Sequence, residues 1–185
     1  MGKGSSKEVG SSLSASSAPL PQEDVSVLIV EDASVTAFSF PTTRLDFVVR
    51  ARLSRLNVLR DGAEIMRKLA SCPRLESLRI ESWQPDFESF FDSLSPSSSL
   101  SVLQLSCHVP LERLREQTAL LQRLKKLRLS STEMRTPELH SLVSVMSDAG
   151  CAVQVLNLSN NELENDAVLI LEPLLKHLKK LDLSR

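Results

Sequence analysis

A thiol and an imidazole stand side by side at Cys107 and His108. Together they could form an activated nucleophile, provided the ring takes the thiol proton and a third group orients the ring. Adjacent residues at a strand end point to opposite sides, and no orienting group lies near them in sequence. The pair therefore reads as two structural residues. His140 and His177 fall in helical stretches far apart in the chain, where surface or helix-end positions suit them. Cys72 and Cys151 each precede a strand and suit small gaps in a core. The sequence carries no Gly-rich phosphate loop, paired metal ligands or triad order. The expectation is no enzyme, no catalytic residue, no metal and no cofactor. One chemical motif opens the chain: M-G-x-x-x-S, with Gly2 and Ser6, has the pattern of an N-myristoylation signal. A single acyl chain on Gly2 would give weak, reversible membrane contact.

These residues have to be positioned by a chain of 185 residues, 42% of them hydrophobic, which suffices for one continuous core. With 22 basic against 23 acidic residues there is no nucleic-acid footprint. Three widely spaced cysteines make a disulfide framework improbable and favour a reducing compartment. No apolar run is long enough to span a bilayer, and the N-terminus lacks the apolar core of a secretory signal. The expected location is cytoplasmic, with membrane association if Gly2 is acylated. Residues 1–22 are rich in Ser and Gly and read as a disordered tail, followed by one domain over residues 23–185.

That domain is organised around Val153 to Leu163, VQVLNLSNNEL. It fits L-x-x-L-x-L-x-x-N-x-L, with Val153, Leu156, Leu158, Asn161 and Leu163 in register. Leu156 and Leu158, two apart on a short strand, point to one side. The amide of Asn161 can satisfy backbone groups left unpaired by the bend that follows. Apolar residues at Val168, Leu171, Leu174, Leu175 and Leu178 then have helical spacing. Weaker copies start at Val25, Leu53, Leu75, Leu100, Leu124 and Leu178. Their paired slots are Leu28/Val30, Leu56/Val58, Leu78/Ile80, Leu103/Leu105, Leu127/Leu129 and Leu181/Leu183. The spacing predicts about seven strands with the last repeat incomplete. Helices are expected between them, including one over RLDFVVRARL, one over LERLREQTALLQRL and one over PELHSLVSVMSDAG.

On these residues the chain resembles the leucine-rich-repeat proteins, and its last full repeat resembles their ribonuclease-inhibitor type. The resemblance implies an α/β solenoid: a curved parallel sheet inside, helices outside. It covers Val153 to Arg185 well and Leu53 to Gly150 more loosely. The chain departs from the pattern mainly at the Asn slot, filled by Asp61, Trp83, His108 and Thr132. The resemblance further implies a module that binds another protein on its concave face. Two other roles of similar proteins are a substrate-recruiting adaptor of a ubiquitin ligase and a Ran-type GTPase-activating protein. The latter would need a loop arginine, for which Arg60 and Arg135 are the nearest candidates.

Strand alternation selects the partner-facing residues. The middle column reads Ile29, Asn57, Arg79, Gln104, Arg128, Asn157 and Asp182, flanked by Arg55, Leu59, Glu81, Lys126 and Lys180. Of these, Arg55, Asn57, Arg79, Glu81, Gln104, Lys126, Arg128 and Asn157 are the candidate partner-binding set. Arg55, Arg79, Lys126 and Arg128 would suit an acidic segment of the partner.

Overall fold

The computed structural model describes residues 27–31, 34–35, 48–55, 57–58, 62–82, 85–96 and 98–184. Gly2, the expected 1–22 tail, Leu59, Arg60, Asp61 and Trp83 lie outside the described residues. The strands are β1 (Val27–Glu31), β2 (Ser34–Val35), β3 (Arg50–Ser54), β4 (Asn57–Val58), β5 (Ser77–Glu81), β6 (Val102–Ser106), β7 (Lys126–Leu129), β8 (Val155–Asn157) and β9 (Lys180–Asp182). Seven of them form one open parallel sheet in the order β1-β3-β5-β6-β7-β8-β9, while β2 and β4 make a separate parallel pair. Each strand of the large sheet pairs with the next in the chain, as in a leucine-rich-repeat solenoid.

The register follows from burial. Leu28, Ala51, Leu78, Leu103, Leu127, Leu156 and Leu181 align across the sheet, at spacings of 23 to 29 residues. All but half-buried Leu181 belong to one buried core, with Val30, Leu53, Ile80, Leu105 and Leu129 two residues on. Each fully buried leucine contributes roughly 1.5–3 kcal/mol relative to leaving it exposed. The described helices cover this side. They are α1 (Gly62–Ala70), α2 (Phe87–Ser93), α3 (Leu111–Glu116), α4 (Thr118–Arg123), α5 (Thr136–Asp148), α6 (Ala167–Ile170) and α7 (Glu172–Leu175). Ile65, Met66, Phe90, Phe91, Leu114, Leu121, Leu139, Leu142 and Leu174 deliver the helices' buried faces to the same core.

Four of the described turns leave the sheet by a repeated corner, and the turn after β6 does not. Arg55, Ser82, Ser131 and Asn160 follow Ser54, Glu81, Ser130 and Ser159, and all four have φ between 49° and 56°. In every case the backbone N–H donates to the next repeat: Arg55 to Glu81, Ser82 to Ser106, Ser131 to Ser159, and Asn160 to Ser184. The left-handed conformation costs a non-glycine residue about 1–2 kcal/mol. The inter-repeat bond it secures offsets part of that cost.

Four sequence expectations require correction. Residues 50–54 form β3 rather than the end of a helix over RLDFVVRARL, because Val48, Ala51 and Leu53 fill the apolar slots of this repeat. Leu53 is thus the last of the paired slots and not the first, so the second repeat begins five residues earlier than its leucines suggest. LERLREQTALLQRL divides into α3 and α4 at Gln117, although Leu111, Leu114, Leu121 and Leu124 are buried as its stripe requires. The last helical stretch is likewise two short turns, α6 and α7, with Pro173 at the start of the second. A proline there lacks the N–H that a continuous helix would use. By contrast α5 follows its signals: Pro137 lies in its first turn, and Gly150 just beyond its end has φ 68°.

Candidate functional site

The face of the sheet opposite the helices is uncovered by any described element. All-parallel sheets almost always have both faces covered. Here the outward columns are mostly polar, with Val27, Ile29, Val102 and Val155 as the apolar members, so exposure costs little. The first column reads Val27, Arg50, Ser77, Val102, Lys126, Val155 and Lys180. The second reads Ile29, Arg52, Arg79, Gln104, Arg128, Asn157 and Asp182. Beyond them lie Glu31, Ser54, Glu81 and Ser106, continued by Ser130, Ser159 and Ser184.

Six of the candidate residues, Arg79, Glu81, Gln104, Lys126, Arg128 and Asn157, are brought together on this face. Two are not. Arg55 is the left-handed corner after β3, and Asn57 pairs with Ser34 in the small sheet. The five-residue register shift moves both out of the columns. Arg50 and Arg52 take their strand and were missed. The signal was present in V-x-x-A-x-L at Val48, Ala51 and Leu53, but an alanine in a leucine slot made it weaker than the leucine-rich stretch behind it.

The charges are unevenly engaged. Arg52 Nε lies 3.2 Å from Glu31 Oε1, and its NH2 group is 3.5 Å from Glu81 Oε2. Arg79 donates to Glu81 Oε1 from Nε at 2.8 Å and from its NH2 group at 2.5 Å. Burial pushes the Glu81 carboxyl up, but the hydrogen bonds and charges of Arg79 and Arg52 outweigh it and hold the group below its ordinary value. At the other end Asn157 Nδ2 donates to Asp182 Oδ2 at 2.6 Å, and Asn157 Oδ1 accepts from Ser159 N and Oγ. The hydroxyl and backbone N–H of Ser184 hold Asp182 below the usual carboxylate range. In between, Arg128 Nε donates to Ser130 Oγ at 3.1 Å, and the hydroxyls of Ser106 and Ser130 lie 2.8 Å apart.

The thiol–imidazole pair does not assemble. Cys107 is buried, and burial pushes its thiol up to about 12. The His108 side chain is 64% exposed and its Nδ1 is 3.8 Å from Glu133. It therefore does not turn inward as an Asn-slot residue would. Cys72 and Cys151 are buried in the core, and His140 and His177 are exposed. Arg135 precedes α5, where Nε donates to Glu162 Oε2 at 3.1 Å. Among the described residues no helix is long and apolar enough to cross a membrane, and no group of three His, Cys, Asp or Glu could hold a metal ion.

No family model matches the sequence, and no curated protein matches it. Among solved structures the chain is similar to the crystal structure of an internalin from Listeria monocytogenes, at 19% identity with a TM-score of 0.49. The match covers 77% of this chain and 43% of the internalin, so the chain spans less than half of that protein's length.

Proposed function

We propose that this chain is a non-enzymatic protein-interaction scaffold whose partner docks on the open face of the seven-stranded sheet. One observation carries the reading: a parallel sheet with one face that no described element covers, lined mostly by polar side chains in fixed register. The centre of the docking face is Gln104, Arg128 and Asn157, neighbours on three adjacent strands. Side chains on strands hold position better than side chains on loops, so the face presents a preorganised pattern and loses little entropy on binding. The adaptor and GTPase-activating roles would use the same repeat. The engagement of Arg135 with Glu162 gives the second no support.

The test is a photo-cross-linking residue placed at position 104, compared with one at exposed Glu112 on α3, on the opposite side. Cross-linked protein recovered from position 104 and not from 112 supports the reading. Recovery from 112 alone would refute it. The proteins identified would also separate the roles, as ligase subunits or as a small GTPase.

A further inference from the structure

Among the described residues the open face carries six cations, Arg50, Arg52, Arg79, Lys126, Arg128 and Lys180, against three carboxylates, Glu31, Glu81 and Asp182. The whole chain has a formal charge of -1, so positive charge is concentrated here. It is not evenly available. Arg52 and Arg79 are engaged with Glu31 and Glu81 at the β3–β5 end. Among the described residues, neither Lys126 nor Arg128 has a carboxylate within ion-pair distance, and each is half-buried. Arg128 donates its Nε to Ser130 Oγ, which fixes the guanidinium plane, and its charge is felt by Asp182 two strands away without an ion-pair contact.

We infer that the β6–β8 part of the open face, centred on Lys126 and Arg128, is the docking site for an acidic segment of a protein partner. The inference rests on the open-face reading and specifies its partner. Lys126 and Arg128 are two apart on β7 and point the same way, so their stems stand roughly 7 Å apart. Two carboxylates at alternate positions of an extended peptide have the same spacing. Gln104 and Asn157 flank Arg128 on the neighbouring strands. Half-buried Val102 and Val155 flank Lys126 in the same way. That apolar flanking suits a peptide with a hydrophobic residue beside its acidic ones, and does nothing for a phosphodiester backbone. The segment expected is therefore Glu-x-Glu with an adjacent apolar side chain.

The probe is a fluorescein-labelled ten-residue peptide carrying Glu-x-Glu beside a leucine, titrated with the full chain and followed by anisotropy. Its Gln-x-Gln counterpart and a single-stranded RNA of equal charge are titrated alongside. Binding of the Glu peptide is expected to weaken at least ~10-fold in Lys126→Gln/Arg128→Gln and to fall with added salt. The control Arg67→Gln/Lys176→Gln removes the same charge from exposed positions away from the sheet and should stay within ~2-fold of wild type. Should the first double variant fail to fold, as judged by circular dichroism, Gln104→Glu places a carboxylate beside Arg128 without removing a cation. It should cost ~5-fold or more. Equal affinity for the Gln peptide, equal losses in the two double variants, or tighter binding of the RNA would overturn the inference. If peptide binding fails while position 104 still cross-links a partner, only the acidic segment falls; if both fail, the open-face reading falls too.

Discussion

The side-chain oxygen of Asn161 accepts from both the backbone N–H and the hydroxyl of Thr132, each at 3.0 Å, joining two successive repeats. The same oxygen accepts from Met134 N, while Nδ2 donates to Leu129 O and Leu158 O. One half-buried amide thus satisfies backbone groups on both sides of the repeat boundary. Asn161→Ala is expected to leave them unpaired and to cost about 1–3 kcal/mol. Asn161→Asp should also destabilise, because a carboxylate cannot donate to the two carbonyls. Urea midpoints check this; wild-type midpoints in both variants would show that water replaces the amide.

Ser131 occupies the repeated left-handed corner at φ 56°. Ser131→Val should destabilise by about 1–2 kcal/mol, since a β-branched residue resists this conformation. Ser131→Gly should be neutral or slightly stabilising, its relief of strain being set against greater freedom in the unfolded chain. A thermal scan of the two variants is sufficient, and equal shifts would argue that the corner is relaxed by other means.

All three cysteines are buried, and burial pushes the thiols of Cys107 and Cys151 above their ordinary value. At a pH of about 8 a thiol-specific reagent should find almost no reactive group in the folded protein. Three should react on unfolding in guanidinium. A fast-reacting native thiol at Cys107 would revive the idea of a nucleophile beside His108.

Glu81 has its folded-state pKa lowered from the model-compound value of 4.5 by Arg79 and Arg52. Its contribution to stability is therefore present above about pH 4.5 and is lost as pH falls through the lower, folded value. Relative to wild type, Glu81→Gln should lose less stability between about pH 5 and pH 3. Parallel curves of midpoint against pH would show that the Arg79 contact contributes nothing net, as exposed ion pairs often do.

The solenoid was legible because leucines two apart cannot face the core together except on a strand, and their recurrence fixes which strands are neighbours. It was most legible at Leu156, Leu158 and Asn161, three slots filled by their preferred residues. It failed at β3, where Ala51 occupies a leucine slot and Leu56 and Val58 imitate the pair five residues later. Pattern reading rewards hydrophobicity, whereas the core at this position accepts a small side chain. That single shift removed Arg55 and Asn57 from the face and hid Arg52, so the ion-pair network with Glu31 and Glu81 could not be foreseen. At His108 the slot was located correctly, but its side chain stays in solvent. Net charge gave no hint of the face either, since the excess of cations there is balanced elsewhere on the chain.

The docking role of the open face is tested most directly by the affinity of the partner recovered through position 104 for two surface variants. Gln104→Arg/Asn157→Arg places two bulky side chains on either side of Arg128. Glu112→Arg/Glu164→Arg makes two equally drastic changes at exposed positions outside the sheet. Isothermal titration should show at least ~10-fold weaker binding for the first and a change within ~2-fold for the second. Undiminished binding by the first variant, with loss in the second, would place the interface on the helical side and contradict the open-face role.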